Sequence, residues 1–117
     1  MRESILRNKS YDFALNIVEL YKTLASDKRE FILSKQLMRS GTSIGANIRE
    51  AEFAQSSKDF IHKMSIALKE ANETDYWLSI LKDSNYISIQ SFETLCNKNQ
   101  ELIRMLVSTI KTMKNKA

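Results

Sequence analysis

Apolar residues recur at steps of three and four along most of the chain. Phe13, Ala14, Ile17, Val18, Tyr21, Leu24 and Ala25 form the first stripe, with Ser10 before it as a candidate N-cap, which predicts a helix over residues 10–26. Asp27, with Glu30 three residues on, has the spacing of a capping box. It opens a second stripe through Phe31, Ile32, Leu37 and Met38 that continues in Ile44, Ile48 and Ala51. A helix over 27–54 therefore has to run through Gly41 and Gly45, although each glycine costs about 1 kcal/mol relative to alanine. Ser56 and Ser57 are caps for a third helix over 57–83 carrying Phe60, Ile61, Met64, Ala67, Leu68, Ala71, Leu78 and Leu81, a seam interrupted only at Thr74 and Asp75. Asp83-Ser84-Asn85 reads as a turn. Ser88 then caps a fourth helix over 88–114 bearing Phe92, Leu95, Leu102, Ile103, Leu106, Ile110 and Met113, which should fray across the final lysines.

Four such segments joined by short connections bury their stripes best as an antiparallel up-down-up-down four-helix bundle, an all-α fold. Composition strengthens this reading: the 117 residues contain no proline and two glycines, too few for a turn-rich β protein. The length fits one domain over residues 1–117. One cysteine and one histidine make neither a disulfide nor a structural zinc set, and a reducing cytoplasm is the expected compartment. No apolar run reaches a membrane span and the first residues lack a secretion core, so no membrane partner is expected and the mature chain is expected to begin near residue 1.

Charge adds a direction. The net charge is +4, and up to residue 97 the basic and acidic side chains cancel at 13 each. The surplus lies in Lys98, Arg104, Lys111, Lys114 and Lys116 against Glu101, so the last helix carries the positive field and is the candidate nucleic-acid surface.

Candidate chemistry is sparse. His62 has Asp59 in place of the glutamate of a di-iron Glu-x-x-His motif, and Ser65 one turn on lacks a carboxylate and oxyanion hole, so neither catalytic nor metal residues are assigned and no cofactor is expected. Glu70 and Glu73 share a face, while Asp75 falls beside the apolar seam and needs a partner such as an arginine or a hydroxyl. In the stretch from Arg39 to Ala51, small residues dominate one face and Arg39, Ser43, Asn47 and Glu50 offer polar groups at helical spacing. This pattern favours a tight helix crossing over a phosphate site, since the Gly-Lys-Ser/Thr ending of a P-loop is missing. Tyr76 and Trp77 with Ile66 and Ile80, and Tyr11, Leu15 and Leu20, form second apolar stripes that point to self-association or to a groove for a partner helix.

Lys9-Ser10-Tyr11, Phe13-Ala14, Ser34-Lys35-Gln36-Leu37, Arg39-Ser40-Gly41-Thr42-Ser43-Ile44-Gly45-Ala46-Asn47-Ile48, Glu50-Ala51, Lys69-Glu70-Ala71, Glu73-Thr74 and Tyr76-Trp77-Leu78 together resemble the 23S rRNA intervening-sequence protein family of four helix bundle proteins, over roughly residues 9–82. The resemblance implies a cytoplasmic bacterial protein that forms a homopentamer. It is also similar to the accessory variability determinant of diversity-generating retroelements, which implies a basic ring associating with nucleic acid and with a reverse transcriptase. It carries no catalytic residue. Arg39, Gly41, Thr42, Ser43, Gly45, Asn47 and Glu50 are carried over as organisers of the bundle, and Tyr76 and Trp77 as residues at or near a protomer contact, to which the second apolar stripe adds Tyr11. The function expected is a non-catalytic, homo-oligomeric accessory protein binding RNA or a ribonucleoprotein; the alternative is a protein-only scaffold whose apolar grooves hold partner helices, and an enzyme is a third possibility.

Overall fold

A computed structural model describes residues 2–116, with side chains from residue 5 onward. Four helices, α1 (Arg2–Asp27), α2 (Leu33–Glu52), α3 (Ser57–Asp83) and α4 (Ile89–Lys116), form an antiparallel four-helix bundle, 47 Å long and about 20 Å across. Each packs on its neighbours in sequence. α1 and α4 close the ring more loosely, and the backbones of the diagonal pairs α1/α3 and α2/α4 stay more than 8 Å apart, Cα to Cα, among the described residues.

The core is a column of fully buried side chains, including Leu6, Phe13 and Ile17 from α1, Ile44 and Ile48 from α2, Met64 and Leu78 from α3, and Leu102 and Leu106 from α4. Each large aliphatic or aromatic side chain removed from water contributes about 1.5–3 kcal/mol before the entropy of ordering is counted. α2 runs unbroken through both glycines. A Cβ on Gly41 would lie 2.8 Å from Ile17 Cγ1, and one on Gly45 would lie 3.3 Å from Ser10 Oγ and 3.4 Å from its carbonyl oxygen. Gly45 thus brings α2 against the α1 backbone, and Gly41 makes room for the Ile17 side chain. On its other flank α2 meets α3 through buried Ser40, whose Oγ lies 3.0 Å from Thr74 Oγ1.

The ends depart from the sequence expectations in instructive ways. Ser10 is no cap: α1 starts eight residues earlier, at Arg2, and Ser10 is buried inside it with its hydroxyl donating to the Arg7 carbonyl. The stripe simply continues back through Ser10 to Leu6. α2 begins at Leu33 rather than Asp27 and ends at Glu52 rather than 54. Phe31 and Ile32, expected on its apolar stripe, lie exposed in the connection. Here Lys28 N–H and Glu30 N–H both return to the Leu24 carbonyl, Arg29 turns at φ 52°, and the Glu30 carboxylate, instead of serving a capping box from Asp27, accepts directly from the amides of Ile32, Leu33 and Ser34 at 2.7–3.0 Å. Burial pushes the Glu30 carboxyl up, but those amides and the Ser34 hydroxyl outweigh it and hold it below the ordinary carboxylate range. Ser56 caps α3 by accepting from Asp59 N–H at 3.1 Å. Ser88 does the same for Ser91 N–H at 3.0 Å, after a turn in which Asn85 takes φ 68°. α4 stays helical to Lys116, past the point where fraying was expected.

Candidate nucleic-acid interface

The five cations expected on α4 separate by face. Lys98 turns toward α1, where its Nζ donates to Asn16 Oδ1 at 2.8 Å. Below it Lys9 and Glu101 bridge the same seam at 3.3 Å. Arg104, Lys111, Lys114 and Lys116 are exposed, and none enters an ion pair among the described residues. From Arg104 to Lys116 the exposed positions of α4 hold no carboxylate, so the positive field there is not offset locally.

Of the polar residues of the 39–51 stretch expected to organise the bundle, Arg39 and Glu50 reach another helix. Arg39 reaches across to α3, donating to Glu70 Oε1 at 2.9 Å and to Glu73 Oε2, which also accepts the Trp77 indole N–H at 2.9 Å. The Trp77 bond first and Arg39 second hold the Glu73 carboxyl low, and Arg39 is held protonated in return, chiefly by Glu73. Glu50 pairs with Lys63 of α3 at 3.0 Å. Thr42, Ser43 and Asn47 instead bond back to the carbonyls of Met38, Arg39 and Ser43 within their own helix. The acidic pair Glu70 and Glu73 is thus taken up by an arginine.

Asp75 finds other partners than the arginine or hydroxyl expected for it. Asn99 Nδ2 donates to it at 2.6 Å, Gln100 Nε2 also donates, and the Cys96 thiol lies 3.9 Å away, all from α4. Burial raises the Asp75 carboxyl above its ordinary range, against the pull of these donors. Asn99 is fully buried and also donates to the Ala71 carbonyl, while its Oδ1 has no partner among the described residues. Burial and then the Asp75 charge push the Cys96 thiol up, which leaves it a poor nucleophile. His62 is exposed, and among the described residues no three His, Cys, Asp or Glu side chains gather as a metal set.

The three aromatics expected near a protomer contact part company. Trp77 is half-buried against the core, and Tyr76 projects from α3 at 59% exposure, its ring edge-on to Trp77 with centroids 5.1 Å apart. Tyr11 projects from α1, diagonally across the bundle. It borders a cleft of about 420 Å³ between α1 and α2, floored by Ala14, Gly45 and Ala46 and rimmed by Arg7, Thr42, Arg49 and Glu50. The cleft follows from the small-residue face of α2, whose sequence pattern favours a close crossing over a ligand surface, and both a crossing and an open surface are present.

No helix among the described residues is long and apolar enough to cross a membrane. The family described as 23S rRNA-intervening sequence protein matches residues 2–108. A crystal structure of a protein of unknown function from the S23 ribosomal protein family of Bacteroides thetaiotaomicron VPI-5482 is 53% identical, with a TM-score of 0.94 over 95% of this chain and 99% of that one. No curated protein matches the chain.

Proposed function

The chain belongs to the 23S rRNA-intervening sequence protein family, and on that premise we propose that it is a non-catalytic, self-associating accessory protein that binds RNA through the C-terminal half of α4. The observation that carries the reading is the carboxylate-free run of exposed cations from Arg104 to Lys116. Such a run attracts a polyanion and releases its condensed counterions. One protomer supplies few contacts, and a ring of copies multiplies them by raising the effective concentration of each site for a bound strand.

The α1–α2 cleft around Tyr11 supports the self-association, because its small-residue floor lets a second protomer's helix approach closely. A protein-only scaffold would use the same cleft for a foreign helix and leave RNA unbound.

Two measurements test this reading. RNA affinity should fall steeply with salt and collapse when Arg104, Lys111 and Lys114 become glutamine, whereas Lys98→Gln, which removes a charge already turned toward α1, should lose far less. Sedimentation should show an oligomer that Tyr11→Asp dissociates. RNA binding that ignores both salt and the triple substitution refutes the electrostatic reading, and a monomeric wild-type protein refutes the assembly.

A further inference from the structure

The α4 cations have counterparts on α3. Its exposed positions between Ser57 and Tyr76 are Ser57, Lys58, His62, Ser65, Lys69, Asn72 and Tyr76, one stripe at three- and four-residue steps without a carboxylate. The acids of that half of α3 are engaged off the stripe, although Glu73, one turn from Lys69, still feels its charge. Asp59 lies under the helix start, where its Oδ2 accepts from Gln55 N–H at 3.4 Å, and Glu70 and Glu73 are held by Arg39 on the α2 side.

The antiparallel register then matters. Asn99 bonded to Ala71 and Asp75, Lys82 over the Phe92 ring at 4.3 Å, and Phe60 beside Met113 fix how α3 and α4 lie alongside each other. That register sets Lys69 level with Arg104, His62 with Lys111, and Lys58 with Lys114. The two rows flank one edge of the bundle over about 16 Å, taken from the helical rise of 1.5 Å per residue. Neither Lys58, Lys69 nor His62 enters an ion pair among the described residues. At the inner end of the row stands Tyr76, exposed and braced edge-on by Trp77. The carboxylates on either side of it are engaged, Asp75 by Asn99 and Gln100 and Glu73 by Arg39 and the Trp77 indole N–H.

Resting on the RNA-binding reading above, we infer that this α3–α4 edge is a single-stranded RNA track, with phosphates along the Lys58–Lys69 and Arg104–Lys114 rows and a base stacked on Tyr76. Parallel cations alone fit any polyanion. An exposed, braced aromatic ring continuing the row selects the single strand, because only unpaired bases offer a face to stack on, and Asn72 between Lys69 and Tyr76 adds an amide that can meet a base edge.

The test is fluorescence anisotropy of the full chain with a labelled single-stranded RNA of roughly 15 nucleotides and with a duplex of the same length. Oligomer size is checked for each variant. Lys58→Gln with Lys69→Gln should weaken single-strand binding and make the salt dependence shallower by about 1.4 in log–log slope, at about 0.7 per lost phosphate contact. Lys28→Gln with Lys35→Gln, equal in charge but at the other end of the bundle, should leave the slope unchanged. Tyr76→Ala should weaken binding roughly 5- to 150-fold without altering the slope, and Tyr76→Phe should bind like the wild type. If the wild type binds no RNA, the functional reading fails and this one with it. If the wild type binds and only the α4 substitutions matter, the track alone is refuted. Duplex binding as tight as single-strand binding, with Tyr76→Ala silent, overturns the single-strand assignment.

Discussion

Gly41→Ala should change sign with its neighbour. Alanine is the better helix former by about 1 kcal/mol, so propensity alone predicts a gain. The packing opposes it: the new Cβ would sit 2.8 Å from Ile17 Cγ1 and 3.0 Å from Cγ2. Ile17 is fully buried, and a β-branched side chain in a helix has essentially one χ1 rotamer, so it cannot swing aside. Overpacking of this kind costs about 1–3 kcal/mol, which puts Gly41→Ala between neutral and about 2 kcal/mol destabilising. Ile17→Ala alone should cost about 2–5 kcal/mol through the cavity it leaves. In that background both clashing carbons are gone and only the Cβ remains, at 3.4 Å, an ordinary contact. Gly41→Ala should then stabilise by about 1 kcal/mol, giving a coupling of about 1–3 kcal/mol between the sites. Urea unfolding followed by far-ultraviolet circular dichroism, at one protein concentration so that assembly does not vary, measures all four corners. Stabilisation of the wild-type background by the full propensity increment, or equal effects in both backgrounds, would refute the close-approach explanation of this glycine. Gly45→Ala, with 3.3–3.5 Å contacts to Ser10, should cost less than Gly41→Ala.

Glu30→Ala should destabilise by about 2 kcal/mol, because the buried Ser34 amide loses its acceptor while the Ile32 amide can turn to water. Since Glu30 titrates below its unfolded value, its contribution is complete above the ordinary glutamate range and is lost as pH falls through the folded pKa; melts of the two proteins that stay equally separated down to pH 3 would contradict this. Asp75 has the opposite sign: its folded pKa is raised, so acidification toward the unfolded value of 3.8 relieves a cost, and the wild type should gain on Asp75→Asn as pH drops from neutral. A stability difference that is flat in pH would mean that the Asp75 charge is not penalised. Arg39 is half exposed, so its double-mutant coupling to Glu73 should be no more than about 1 kcal/mol, and a value above about 2 kcal/mol would show the network to be drier than its geometry implies.

The architecture was legible because the stripes are long and the connections short. What escaped sequence reading escaped for local reasons. Ser10 has the composition of a cap, which predicts a helix start there, whereas the fold requires a small residue inside α1 to let Gly45 against it. Asp27 and Glu30 have capping-box spacing, which predicts α2 six residues too early, whereas Glu30 works alone and reaches forward to the amides of α2. In both cases one side-chain type fits two opposite roles, and only the partner helix or the turn decides between them. Asp75 was correctly seen to need partners, but amides and a thiol three turns into another helix leave no spacing signal.

The candidate site shows the same limit in electrostatic form. The basic half of α4 stands out on a linear count because its cations are not diluted by acids in the sequence. Lys58 and Lys69 do not stand out, since Asp59, Glu70 and Glu73 are interleaved with them and the local sum is near zero. Folding sorts these charges by face. With 100° per residue, Asp59, Glu70 and Glu73 turn toward α2 and the helix start, where Gln55 N–H and the Arg39 guanidinium accommodate them, and the lysines are left on the outward stripe. In the proposed track Arg39 has a part without touching RNA: it neutralises Glu70 and Glu73, of which Glu73 stands one turn from Lys69 and feels its charge. Arg39→Met should accordingly weaken single-strand RNA binding severalfold even though residue 39 lies off the track, because two carboxylates then lose their tether and can swing toward Lys69. Restoring affinity in Arg39→Met by adding Glu70→Gln and Glu73→Gln would support this, and unchanged binding of Arg39→Met would show that the sorting of charge plays no part in recognition.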